Sequence, residues 1–120
     1  SCDRPDDEHF HSLQAMEQEL KSLENADGSP YKLVPLPFPD ACHSVHGERL
    51  PASYANFLII NGAVLCPVYD VPQDALALDI LRGQFPDRVI EAVPARRFIH
   101  QGGGVHCLTM QLFSGSLIAC

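Results

Sequence analysis

Two apolar runs, YANFLII (54–60) and AVLCPVY (63–69), are separated only by Asn61-Gly62. Aromatic and β-branched residues fill both runs, and Asn-Gly readily takes the backbone conformations of a two-residue return. The pattern predicts a β-hairpin. The residues after it narrow the fold further. PQDALALDILRGQF (72–85) reads as a helix opened by Pro72 and Asp74, with Leu76, Ala77, Ile80 and Leu81 facing inward. DRVIEAVPA (87–95) reads as another strand, and QGGGVHCLTMQ (101–111) closes the series with three glycines before His106 and Cys107. From residue 54 the order is strand, strand, helix, strand, glycine loop, cysteine. That is an α/β arrangement.

The first half is less regular. Residues 7–24 carry Phe10, Leu13, Met16, Leu20 and Leu23 at spacings of three and four, which predicts an amphipathic helix with these residues on one face. NADGSP (25–30) breaks the chain, and YKLVPLPF (31–38) reads as an edge strand because of its prolines. Residues 39–53, containing CHSVHGERLP, have no period and read as a loop. The two helices are expected on one side of a small sheet.

Composition bounds what such a chain can do. Its 120 residues suit one domain, and 46% hydrophobic against 19% charged residues predicts a packed core. The net charge is −7 with only 8 Lys and Arg, none of them in a basic run. Nucleic acid is therefore not an expected partner, since phosphate binding needs clustered cations. No apolar run approaches the roughly 18 to 20 residues that span a bilayer, so no membrane partner is expected. The acidic start SCDRPDDEHF is unlike a signal peptide. The five cysteines are odd in number and widely spaced, with no CxxC. Free thiols in a reducing cytoplasm fit that usage.

Chemistry concentrates at Cys107. A thiol at its ordinary pKa is only a few per cent thiolate at neutral pH, so a nucleophilic cysteine needs help. A helical turn starting at Cys107 would favour thiolate through its dipole, and glycines before it would let a ligand reach the sulfur. The competing reading is a buried structural cysteine behind a flexible turn. His106 reads as an orienting or structural residue, because neighbours on an extended backbone point to opposite sides. Cys42, His43 and His46 raise zinc as an alternative together with His106 and Cys107, yet no second ligand pair supports it. Cys66 reads as core. The glycine triplet lacks the G-x-G-x-x-G spacing and no P-loop Lys follows. No metal and no cofactor are expected.

Taken together, LPASYANFLIINGAVLCPVYDVPQDALALDILRGQFPDRVIEAVPARRFIHQGGGVHCLTMQ resembles the C-terminal part of agmatine deiminases and of the related bacterial peptidylarginine deiminases. The resemblance includes SYANFLIINGAVLCPVY, the helix ending in FPDR and the terminal GGGVHCLT, and the N-terminal helix with YKLVPLPF extends it over nearly the whole chain. It implies part of a pentein, a five-bladed α/β propeller, with about one and a half ββαβ modules. Residues 1–53 would end one module and residues 54–120 would form the final module with the catalytic cysteine.

The activity that the resemblance implies is hydrolysis of a guanidino group, agmatine and water giving N-carbamoylputrescine and ammonia. Cys107 would be the nucleophile, and Gly102, Gly103 and Gly104 would form the loop that substrate approaches. The family's general acid/base His and its guanidinium-gripping carboxylates lie upstream of the matched residues. The resemblance thus implies the C-terminal third of a larger enzyme, inactive alone, whose partners are the N-terminal portion, a cationic guanidine and, through exposed apolar faces, a second copy. Met110 stands where the family has Gln, and LFSGSLIAC departs from the family's tail. Peptidyl arginine as substrate stays open, as does a truncated, non-catalytic pentein-like binding module.

Overall fold

The computed structural model describes residues 1–112. A 3-10 turn, Tyr54–Asn56, leads into strand β1, Leu58–Ile60, which returns antiparallel through β2, Ala63–Val68. The predicted hairpin is present, with Ile60 paired to Ala63 across Asn61-Gly62. Only Gly62 takes a left-handed conformation there, at φ 80°. Helix α2, Gln73–Gln84, then carries the chain to β3, Val89–Pro94, which pairs parallel with β2. The sheet order is β1-β2-β3, so the central strand is flanked by one antiparallel and one parallel neighbour. A parallel return needs a crossover of this length, which α2 supplies.

The residue pattern accounts for the register. β1 reaches only as far as Leu65 on β2, so Pro67, which has no N–H to give, meets no β1 partner. Val64, Cys66 and Pro67 are buried, as befits a central strand, whereas much of β3 is exposed at the edge. Ala77 and Leu81 of α2 pack with Tyr54, Leu58, Cys66, Tyr69, Ala95 and Ile99 in the core. Leu76, expected inward, is instead 55% exposed, and Leu78 takes part in the packing.

The N-terminal half departs further from expectation. Helix α1 spans Phe10–Lys21 but buries none of its residues, whereas α2 packs on the sheet; the two helices expected on one side of it are not both there. The stripe of Met16, Leu20 and Leu23 is exposed. Arg49 holds the segment before α1, meeting Asp7 at 3.1 and 2.9 Å and Glu8 at 2.8 Å while lying over the Phe38 ring. Residues 31–38 form no strand. Pro35 and Pro37 within the segment, and Pro39 just after it, remove alternate donors, and no ladder forms. The α/β class holds, and among the described residues the regular sheet lies within residues 58–94. Among the described residues no helix is long and apolar enough to cross a membrane. Cys120 and the tail after Leu112 lie outside the described residues.

Candidate functional site

The site begins with the short turn before β1. Tyr54 is buried, and its hydroxyl donates to Asp74 Oδ1 at 2.5 Å on the first turn of α2. The same carboxylate accepts from the backbone N–H groups of Tyr69 and Val71. Tyr69 closes the other side, its hydroxyl accepting from Ser53 N–H and donating to Ser53 O, both at 3.0 Å. Ser53 also caps the turn through its side chain, which accepts from Ala55 N–H. Two buried tyrosines and one carboxylate therefore fix where the next residue, Asn56, projects.

The second part of the site is the loop after β3. Ile99, fully buried in the 3-10 turn Phe98–Gln101, and Val105, 6% exposed, anchor its two ends. Between them lie the three glycines, each with its own reason. Gly102 is left-handed at φ 83° with open space around its Cα. A Cβ on Gly103 would stand 2.9 Å from Cys107 Cβ. A Cβ on Gly104 would stand 2.8 Å from Asn56 Cγ. Neither Gly103 nor Gly104 has positive φ; they are required by close approach rather than by backbone conformation.

These two parts meet at Cys107. The Asn56 side-chain amide donates to Cys107 Sγ at 3.0 Å, and Asn56 Oδ1 accepts from His106 N–H at 2.8 Å and Cys107 N–H at 3.4 Å. Cys107 is exposed, and its thiol is held below the usual range, chiefly by the Asn56 donor and next by the Gly104 backbone N–H. The expected helix dipole does not supply this. Cys107 sits in the three-residue 3-10 turn His106–Leu108, too short to carry a macrodipole. Asn56 and His106 line a shallow surface depression with Ser53 and Ala55.

The other cysteines are placed differently. Cys2, Cys42 and Cys66 are buried, with Cys42 and Cys66 in the core cluster. Burial pushes the Cys42 thiol up and the Cys66 thiol up to about 11. Cys42 is thus a core residue beneath an exposed loop that carries His43 and His46 on its outside. Among the described residues no group of three His, Cys, Asp or Glu side chains could hold a metal ion, so the zinc alternative gains no ligand set.

Cys107, Gly103 and Gly104 are therefore brought into one locus, with Gly102 opening the loop. Asn56 is the residue that sequence reasoning did not single out. Its signal is faint: a short polar side chain closing a Ser-x-x-Asn turn, 51 residues from the thiol it bonds.

Residues 1–112 match the family described as Porphyromonas-type peptidyl-arginine deiminase. An agmatine deiminase of Pseudomonas fluorescens is 34% identical over 126 residues, covering 91% of this chain and 34% of the relative. A solved structure of a Porphyromonas gingivalis protein superposes with TM-score 0.90 at 53% identity, over 92% of this chain and 32% of its own. The structure of the C. jejuni agmatine deiminase superposes with TM-score 0.78 at 37% identity, over 88% of this chain and 30% of its own. The chain spans about a third of the length of the relatives it matches.

Proposed function

The chain belongs to the Porphyromonas-type peptidyl-arginine deiminase family, and on that premise we propose that it supplies the nucleophilic module of a guanidine hydrolase of agmatine deiminase type. Cys107 is the nucleophile. The observation that carries this reading is that Cys107 is the exposed cysteine among those described, and the Asn56 side-chain amide donates to its sulfur at 3.0 Å.

The thiolate of Cys107 adds to the central guanidinium carbon, forming a C–S bond. The departing NH2 group takes up a proton from the former guanidinium, the C–N bond breaks and neutral ammonia leaves an amidine-type adduct on the sulfur. That ammonia becomes ammonium with the proton that the water step releases. Water adds to the same carbon, the C–S bond breaks, and the ureido product departs as the thiolate is restored. The net change is guanidinium plus water to urea plus ammonium, with no redox step and no cofactor. A lowered thiol pKa is what this chemistry needs at neutral pH. Gly102, Gly103 and Gly104 keep the approach to the sulfur free of side chains.

Agmatine is the favoured substrate, on the strength of the agmatine deiminases among the relatives. A net charge of −7 suits a cationic ligand. The acid/base and guanidinium-gripping groups belong to the remainder of a five-bladed pentein propeller, of which residues 54–120 form the final module and residues 1–53 the end of the one before. Exposed Ile59, Ile60 and Val89 give that remainder, or a second copy, an apolar surface to cover. The unpaired cysteines suit a reducing cytoplasm.

A chimaera tests the reading: this chain replaces the matched third of the Pseudomonas fluorescens agmatine deiminase. We expect ammonia release from agmatine, abolished by Cys107→Ala. A folded chimaera that turns agmatine over equally well with Cys107→Ala overturns it.

A further inference from the structure

We propose that Asn56 is the positioning residue of Cys107, one side chain that both aims the turn carrying the thiol and presents a donor to the sulfur. The inference rests on the reading of Cys107 as a nucleophile, and it concerns a residue that lies on a different element from the glycine loop. The orientation of the amide follows from its partners. Backbone N–H groups only donate, so the oxygen of Asn56 must face His106 N and Cys107 N, at 2.8 and 3.4 Å. The nitrogen is then obliged to face Sγ, at 3.0 Å. An NH2 group only donates, so the sulfur must accept, and a thiolate accepts better than a thiol.

The surroundings leave Asn56 little freedom. Tyr54, two residues earlier, is locked to Asp74, and Ser53 is bracketed by the Tyr69 hydroxyl. Gly104 packs directly against the amide, leaving no room for a Cβ. The glycine at 104 thus serves the asparagine, and the asparagine serves the cysteine. On the loop, the titratable neighbour of Cys107 is His106. The turn across from it, Ser53 to Asn56, carries no charge, and Tyr54 directs its hydroxyl to Asp74. Donors, rather than a facing cation, act on the thiol.

The test follows the iodoacetamide alkylation rate of Cys107 against pH, in this chain, by peptide mass spectrometry. Asn56→Asp keeps an oxygen for the backbone N–H groups but turns a carboxylate toward the sulfur. Asn56→Ala removes both roles without adding charge. The expected order of apparent midpoints is Asn lowest, Ala higher, Asp highest, with Asn56→Asp alkylated about tenfold more slowly at pH 7, one unit of midpoint being one decade of thiolate. A merely structural role would not place Asp above Ala. A folded Asn56→Asp protein, by circular dichroism, whose midpoint equals the parent's overturns the inference. If that variant does not fold, Asn56→Ala decides alone by the same criterion. The readout needs no turnover, so a shifted midpoint with an inactive chimaera sinks only the hydrolase reading. An unshifted midpoint with an active chimaera sinks only the role of Asn56.

Discussion

The hydroxyl of Tyr54 and the carboxylate of Asp74 join the turn that precedes β1 to the first turn of α2, 20 residues further on. Tyr54 is buried while Asp74 is half-buried, and burial together with this carboxylate raises the Tyr54 pKa above its ordinary value. Through this contact the helix of the ββαβ unit fixes the turn from which Asn56 reaches Cys107.

Tyr54→Phe keeps the ring packing and removes one hydrogen bond to a carboxylate. It is expected to lower stability by about 1.5–3 kcal/mol. Asp74→Ala strips the partner from Tyr54 and from two backbone N–H groups at once, so it is expected to cost more. Urea unfolding followed by far-ultraviolet circular dichroism measures both. Equal, negligible effects would mean that this contact does not hold the turn.

The glycines separate in the same kind of experiment. Gly102→Ala meets open space but must hold φ 83°, so it is expected to lower stability by about 1 kcal/mol and leave Cys107 alkylation unchanged. Gly104→Ala strikes Asn56 and is expected to slow Cys107 alkylation at neutral pH. Identical behaviour of the two variants would return the triplet to a featureless turn.

Thiol reactivity is expected to divide sharply. The Cys107 thiol is exposed and lowered, whereas Cys2, Cys42 and Cys66 are buried and the last two are pushed up. At pH 7.5 iodoacetamide is expected to modify Cys107 at least about tenfold faster than these three. Mass mapping at short times gives the order, and early modification of Cys66 or Cys42 would contradict the core placement.

Acid tests the N-terminal attachment. Hydrogen bonds from Arg49, and then from His9 N–H, hold the Asp7 carboxyl down to about 2. A folded value below the unfolded one contributes stability at higher pH, and this contribution is lost as pH falls from about 4 through about 2. Arg49→Gln is expected to return the Asp7 midpoint, read by carboxyl NMR, toward the ordinary carboxylate range. An unmoved midpoint would contradict the pairing.

Much of the fold is legible in the residues and some is not, for physical reasons. The hairpin, α2 and β3 follow from period, turn chemistry and a Pro-Asp helix start, all local signals. The strand expected at 31–38 does not form because Pro35 and Pro37 leave too few donors for a ladder. The helix at 10–21 is recognisable, but Met16, Leu20 and Leu23 of its apolar stripe stay exposed, and periodicity alone does not say whether a face is covered. Cys107 with its glycines stands out locally. Asn56 does not, because its importance arises only when the fold closes a gap of fifty residues. Cys42 reads as loop but belongs to the core, since an irregular backbone can still turn one thiol inward.

The most direct measurement is where the covalent adduct forms. The chimaera is mixed with agmatine, quenched in acid within the first turnovers, digested and mapped by mass. If Cys107 is the nucleophile, an amidine adduct is expected on the peptide that carries it, absent when agmatine is omitted and absent in Cys107→Ala. An adduct on any other residue, or full turnover of agmatine by the Cys107→Ala chimaera, would contradict that role.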